Sequence, residues 1–133
     1  MRFLLDVNTL IALGVLEHEF HHRVAAWLRT ATAAGTAEMV TCSITETGFV
    51  RVLAQTVRYG LSVVHARELL LQLKSGPTMK FSFLADDQSI SGLPGWVKTP
   101  KQITDGHLWQ LARSHRVGFA TLDRSIPDAL LIP

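Results

Sequence analysis

Short apolar runs alternate with helical periodicity along this whole chain, and that alternation limits the fold more than any single residue does. RFLL (2–5), EMVTC (38–42), KFSFL (80–84) and VGFAT (117–121) each read as a short strand, and ALLI (129–132) as a fifth closing an edge. Helical patterns fill the gaps. NTLIALGVL (8–16) follows the first strand, and Val24, Trp27, Leu28 and Ala31 mark a second helix that ends in TAAGTAE. SITE (43–46) has the form of a capping box and opens a helix with Phe49, Val50, Leu53 and Val57 on one face, which Gly60 stops. Ser62 caps a helix bearing Val63, Ala66, Leu69, Leu70 and Leu73, and Thr104 caps one running through Leu108, Leu111 and Ala112. Strands joined by helices must run parallel, so the expected class is α/β with a mainly parallel five-stranded sheet flanked by helices. No repeat or linker divides the 133 residues, which suit a single domain over 1–133.

Composition narrows the setting. With 47% apolar and 18% charged residues the chain reads as globular, and a formal net charge of +2 without runs of like charge permits a polyanionic partner without requiring one. The lone Cys42 has no disulfide partner, which points to a reducing, cytoplasmic setting. The apolar N-terminus is interrupted by Asp6 and Asn8, so it suits neither a signal peptide nor a membrane span.

Asp6 and Asn8 also raise the chemical question, because polar groups at the end of a core strand are costly unless partnered. Asp6 has three counterparts. Glu46 opens the helix after the second strand, Asp105 opens the helix before the fourth, and Asp123 follows the fourth in FATLDRS. Each alone is a good helix-terminal acid. In a parallel sheet, however, strand carboxyl ends and helix amino ends share one edge, where ligands bind. Carboxylates about 5 Å apart repel by roughly 3 kcal/mol per pair at an effective dielectric near 20. A cluster of this kind calls for a cation or a proton, and oxygen-only ligands select Mg²⁺ or Mn²⁺.

LLDVNTLIAL, TETGFVRVL, TDGHLWQLA and FATLDRSI, in that order, resemble the four acidic motifs of PIN-domain nucleases, and most of all the VapC-like ribonuclease toxins of type II toxin–antitoxin modules. EFHHRVAAWL and FLADDQSI resemble connecting segments of the same family, so the likeness spans nearly the whole chain. It implies a PIN-like three-layer sandwich and a Mg²⁺- or Mn²⁺-dependent endoribonuclease. It also implies a cognate antitoxin, and a homodimer formed through the apolar helices after the second strand. Carried over residue by residue, it makes Asp6 and Asp105 the metal ligands, with Glu46 and Asp123 completing the catalytic acids. Asn8, Thr104 and Thr121 would support those ligands by hydrogen bonds. Arg51 and Arg124 are the expected phosphate contacts, and Trp96 a surface aromatic for base stacking or a protein interface. Asp86, Asp87 and Asp128 read as loop acids.

Two other chemistries fit fragments of the sequence. HEFHH (18–22) satisfies H-E-x-x-H, which on a helix would pair His18 and His22 on zinc with Glu19 as base. It falls in a polar connection, however, before helical periodicity begins. DVNTL is similar to the D-x-D-x-T loop of haloacid-dehalogenase-like phosphatases, with Asp6 as nucleophile, but Asn8 replaces the second acid and TDG and LDR go unexplained.

Overall fold

The computed structural model describes residues 1–133. Strands β1 (Arg2–Leu5), β2 (Glu38–Thr41), β3 (Lys80–Phe83), β4 (Gly118–Thr121) and β5 (Leu130–Leu131) form one sheet in the order β3-β2-β1-β4-β5. Every pairing is parallel; Leu4, for example, lies opposite Val40 on one side and Phe119 on the other. The chain moves outward from β1 to β2 and β3, then crosses back to place β4 on β1's other side. The order therefore reverses between β1 and β4, which locates the crevice expected of an open α/β sheet.

The strand period of two sorts β1 between two cores. Phe3 and Leu5 face a core built with α1 (Val7–Gly14), α2 (His21–Ala33), α3 (Ser43–Gln55) and α4 (Val63–Ser75), where Leu10, Ile11, Val24, Phe49, Leu53 and Leu70 pack. Leu4 faces the opposite core with Val40, Phe119 and residues Leu108 and Leu111 of α5 (Ile103–Ser114). The result is three layers. A fully buried Leu or Phe stabilises the fold by about 1.5–3 kcal/mol, so both faces hold β1 rigidly beneath Asp6. No helix is long and apolar enough to cross a membrane.

Helix starts differ from the sequence reading in ways that matter for the acids. Asp6 itself caps α1, its Oδ1 accepting from Thr9 N–H at 2.8 Å. The box at α3 sits one residue earlier than SITE suggests. Cys42 is the cap and Thr45 the reciprocal partner, with Thr45 Oγ1 accepting from Cys42 N–H at 2.9 Å. Glu46 is thereby released from capping. Thr104 does not cap α5 either: a 3₁₀ turn at Pro100–Gln102 leads into that helix, and Thr104 lies exposed in its first turn.

Two glycines next to acids allow unusually close packing. A Cβ at Gly48 would lie 2.6 Å from Val7 Cγ2, and one at Gly106 would lie 2.3 Å from Val97 Cγ2. Trp96 is half-buried, against the expected surface position. It stacks edge-to-face with Trp109 at 6.1 Å beside the α5 core, and its indole N–H is buried without a partner. Asp86 and Asp87 fasten the segment after β3 onto α5, through His107 (2.5 Å) and His115 (2.9 Å).

Candidate active site

Asp6 leaves the end of β1 and is buried, although β1 and α1 around it are otherwise apolar. Its two oxygens are partnered differently. Oδ1 takes the Thr9 N–H, and Oδ2 takes the Thr121 hydroxyl at 2.5 Å. That hydroxyl in turn accepts from Asp123 N–H at 3.0 Å, so Thr121 joins the first and last acids across the β1–β4 crevice. Asp123 Oδ1 is held by Ser125, from its N–H at 2.8 Å and its hydroxyl at 2.7 Å. Burial raises the Asp6 pKa; the Thr121 and Thr9 hydrogen bonds oppose the rise, and Asp123 adds to it.

Asp105 stands in the first turn of α5 with no hydrogen-bond partner to offset its environment. Burial, then the charges of Asp6 and Asp123, push its pKa up to about 6. Three of the four predicted acids thus share one unneutralised field. Glu46 does not share it. Its Oε2 accepts from Thr41 Oγ1 at 2.6 Å and also meets Lys74 Nζ from the last turn of α4. The acidic edge is therefore split between an uncompensated β1–β4 side and a neutralised β2–β3 side.

A cavity of about 370 Å³ opens onto the uncompensated side, lined by Asp6, Asn8, His18, Glu19, Phe20, Leu122 and Asp123. Asn8 is exposed there and Thr104 is exposed on α5. Arg51 and Arg124 are also exposed, Arg124 directly beside Asp123. His18, Glu19 and Phe20 are wall residues; the sequence singles out His18 and Glu19 only within the H-E-x-x-H alternative and gives Phe20 no role. That alternative fails on geometry. His18 lies in the turn before α2 and accepts from Phe20 N–H at 3.0 Å, whereas His22 is in the first turn of α2, so no single helix aligns them. The cavity wall was hidden because the polar segment EHEFHH shows only a connection, not where that connection folds back.

The donor set suits a hard divalent cation. The candidate donors are all oxygen, and Asp105 is raised first by burial and then by the charges of Asp6 and Asp123, which a cation would relieve. No group of three or more His, Cys, Asp or Glu side chains is drawn together tightly enough to cage an ion. That is compatible with Mg²⁺, which keeps several waters and takes one or two carboxylates.

A parallel sheet in the order 3-2-1-4-5, with acids beyond its carboxyl edge and helices on both faces, defines a PIN-like α/β protein. Ribonuclease VapC44 of Mycobacterium tuberculosis is 39% identical over 132 residues, covering 95% of this chain and 89% of its own length. Ribonuclease VapC29 of the same organism is 38% identical over 139 residues, covering 100% and 98%. No protein-family model matches the sequence. The crystal structure of M. tuberculosis VapC20, described as a toxin that cleaves the sarcin–ricin loop, superposes with a TM-score of 0.63 over 98% of this chain and 99% of its own. At 10% identity it shares the fold. The chain belongs to the VapC family of ribonucleases. Membership sets aside both the phosphatase and the zinc-peptidase alternatives.

Proposed function

We propose that this chain is the endoribonuclease toxin of a toxin–antitoxin system, hydrolysing RNA with Mg²⁺ or Mn²⁺ held by Asp6 and Asp105. The observation that carries the site assignment is the shared field of Asp6, Asp105 and Asp123 at the strand switch point, beside an open cavity. Held by Asp6 and Asp105, the ion would supply positive charge against the phosphodiester and make a nearby water a stronger acid. The protein contributes position and proton handling. Thr121 and Thr9 fix the rotation of the Asp6 carboxylate, so its free lone pairs stay aimed into the cavity. Asp123, exposed at the rim and steadied by Ser125, is placed to accept the proton of the attacking water. Asn8, exposed at the same rim, would hydrogen-bond a carboxylate or a water there. Arg124 and Arg51, both exposed, offer guanidinium groups to RNA phosphates.

The Phe20 ring lines the cavity and is backed by the Arg23 guanidinium at 5.6 Å, which makes it the better-placed surface for stacking an unpaired base. Trp96 loses that role to the α5 core. A cognate antitoxin is the partner that would block this edge. Self-association would use α3, α4 and their connection, where Val57, Val63, Val64 and Leu71 are exposed.

Incubating the purified chain with a mixed RNA pool tests the reading. Cleavage is expected with Mg²⁺ or Mn²⁺ and none with EDTA or in Asp6→Asn. Cutting that persists in EDTA, or an undiminished Asp6→Asn variant, would sink it. Light scattering would show the dimer.

A further inference from the structure

Lys74 sits at the C-terminal end of α4, where a lysine ordinarily answers the helix dipole from solvent. Here its side chain instead crosses to α3 and lies on Glu46 Oε2, with the Lys74 and Glu46 side chains only 22% and 25% exposed. Thr41 donates to that same oxygen, and the Phe83 ring lies 5.7 Å from the ammonium. The oxygen of Glu46 that faces these groups thus carries two donors, one of them a full positive charge.

A dication brought to Glu46 would have to displace both donors from Oε2, or bind the free Oε1 within a carboxylate width of an ammonium of like sign. Nothing comparable guards the other side of the edge, where Asp105 has no cationic partner and Asp6 accepts only from neutral donors. We propose that Lys74 takes the place of a second metal ion, so that the acidic edge binds one divalent cation per chain, at Asp6 and Asp105. The ammonium then fixes Glu46 as a neutralised wall of the site, and makes Lys74 a positioning residue for the reaction. This inference rests on the metal-dependent reading above.

Manganese binding to the full, metal-stripped chain tests it, read by calorimetry and by the electron paramagnetic resonance of free Mn²⁺. The wild type is expected to bind one Mn²⁺, Lys74→Arg one, and Lys74→Met two, with the second lost again when Glu46→Gln is added. Two ions in the wild type, or one ion in a Lys74→Met variant that melts cooperatively, would overturn the proposal. Should Lys74→Met fail to fold, Glu46→Gln decides. Mn²⁺ affinity within about twofold of wild type upholds the single site, and a tenfold loss overturns it. An absence of Mn²⁺ binding in the wild type, or binding unaltered by Asp6→Asn, would instead bring down the metal reading itself.

Discussion

The two halves of the acidic edge are built from the same parts and end in opposite electrostatic states. On the β1–β4 side a buried aspartate and a strand threonine face two more carboxylates, and Asp105 is driven to a pKa of about 6. On the β2–β3 side a strand threonine and a glutamate meet in the same way, but a lysine closes the arrangement. Thr41 and Thr121 end neighbouring strands of β1 and each donates to an acid. The difference is the lysine. Unpaired carboxylates held together create a demand for a cation, and one built-in ammonium removes that demand locally.

The largest effect is expected where charge is uncompensated. Asp6→Asn should lower RNA cleavage by about 10³-fold, since metal-assisted charge stabilisation is worth several kcal/mol. Glu46→Gln should lower it by only about tenfold, because that acid is already neutralised. Equal losses in a side-by-side initial-rate assay would erase the distinction between the halves.

Thr121→Val tests the link across the crevice. It removes the donor to Asp6 and strips Asp123 N–H of its acceptor, so a loss of about 1–3 kcal/mol is expected in urea unfolding, with Thr121→Ser near wild type. A valine variant as stable as wild type would show that the bridge does not hold the site.

The raised Asp105 pKa makes a pH prediction with a definite sign. Its folded value of about 6 exceeds the ordinary 3.8, so folding takes up a proton between the two. The metal-free protein should therefore lose stability as pH rises from about 4 to about 6, by about 1–2 kcal/mol after solvent screening, and stay lower above that. Asp105→Asn should reduce this slope in thermal melts, leaving the share that comes from Asp6, whose pKa burial also raises. Cleavage should rise over the same interval, as Asp105 becomes able to hold a cation. The smallest effect belongs to the cavity wall: Phe20→Ala should raise KM for RNA a few-fold with kcat little changed, matching about 1 kcal/mol of stacking.

Much of this was readable in the residues, and the failures share a cause. The alternation of RFLL, EMVTC, KFSFL and VGFAT with helical periods yields the parallel sheet, because period and connection length are local properties. Asp6 and Asp123 are conspicuous as acids just past strand ends, and Glu46 and Asp105 as acids in the first turns of helices. Lys74 was not legible, since a lysine in a last helical turn looks like a dipole partner until α4 is laid beside α3. Trp96 looked exposed among Gly, Pro and Lys, yet Trp109 lies thirteen positions on and covers it in space. Capping shifted by one residue at Cys42 because Thr45, not Glu46, points back to the cap N–H. Each miss concerns a partner distant in sequence or a rotation of one residue about a helix axis.

The glycines beside the acids set how closely the acid-bearing helices approach their neighbours. Gly48 lets α3 close onto Val7, the neighbour of Asp6, and Gly106 lets α5 close onto Val97 next to Asp105. Both act as shims under carboxylate-bearing helices. A methyl added at either one would meet a valine methyl at 2.6 or 2.3 Å, so the valine or the helix must shift. The spacing of the acid-bearing helices is thus set by two glycines that no alanine could replace without such a shift.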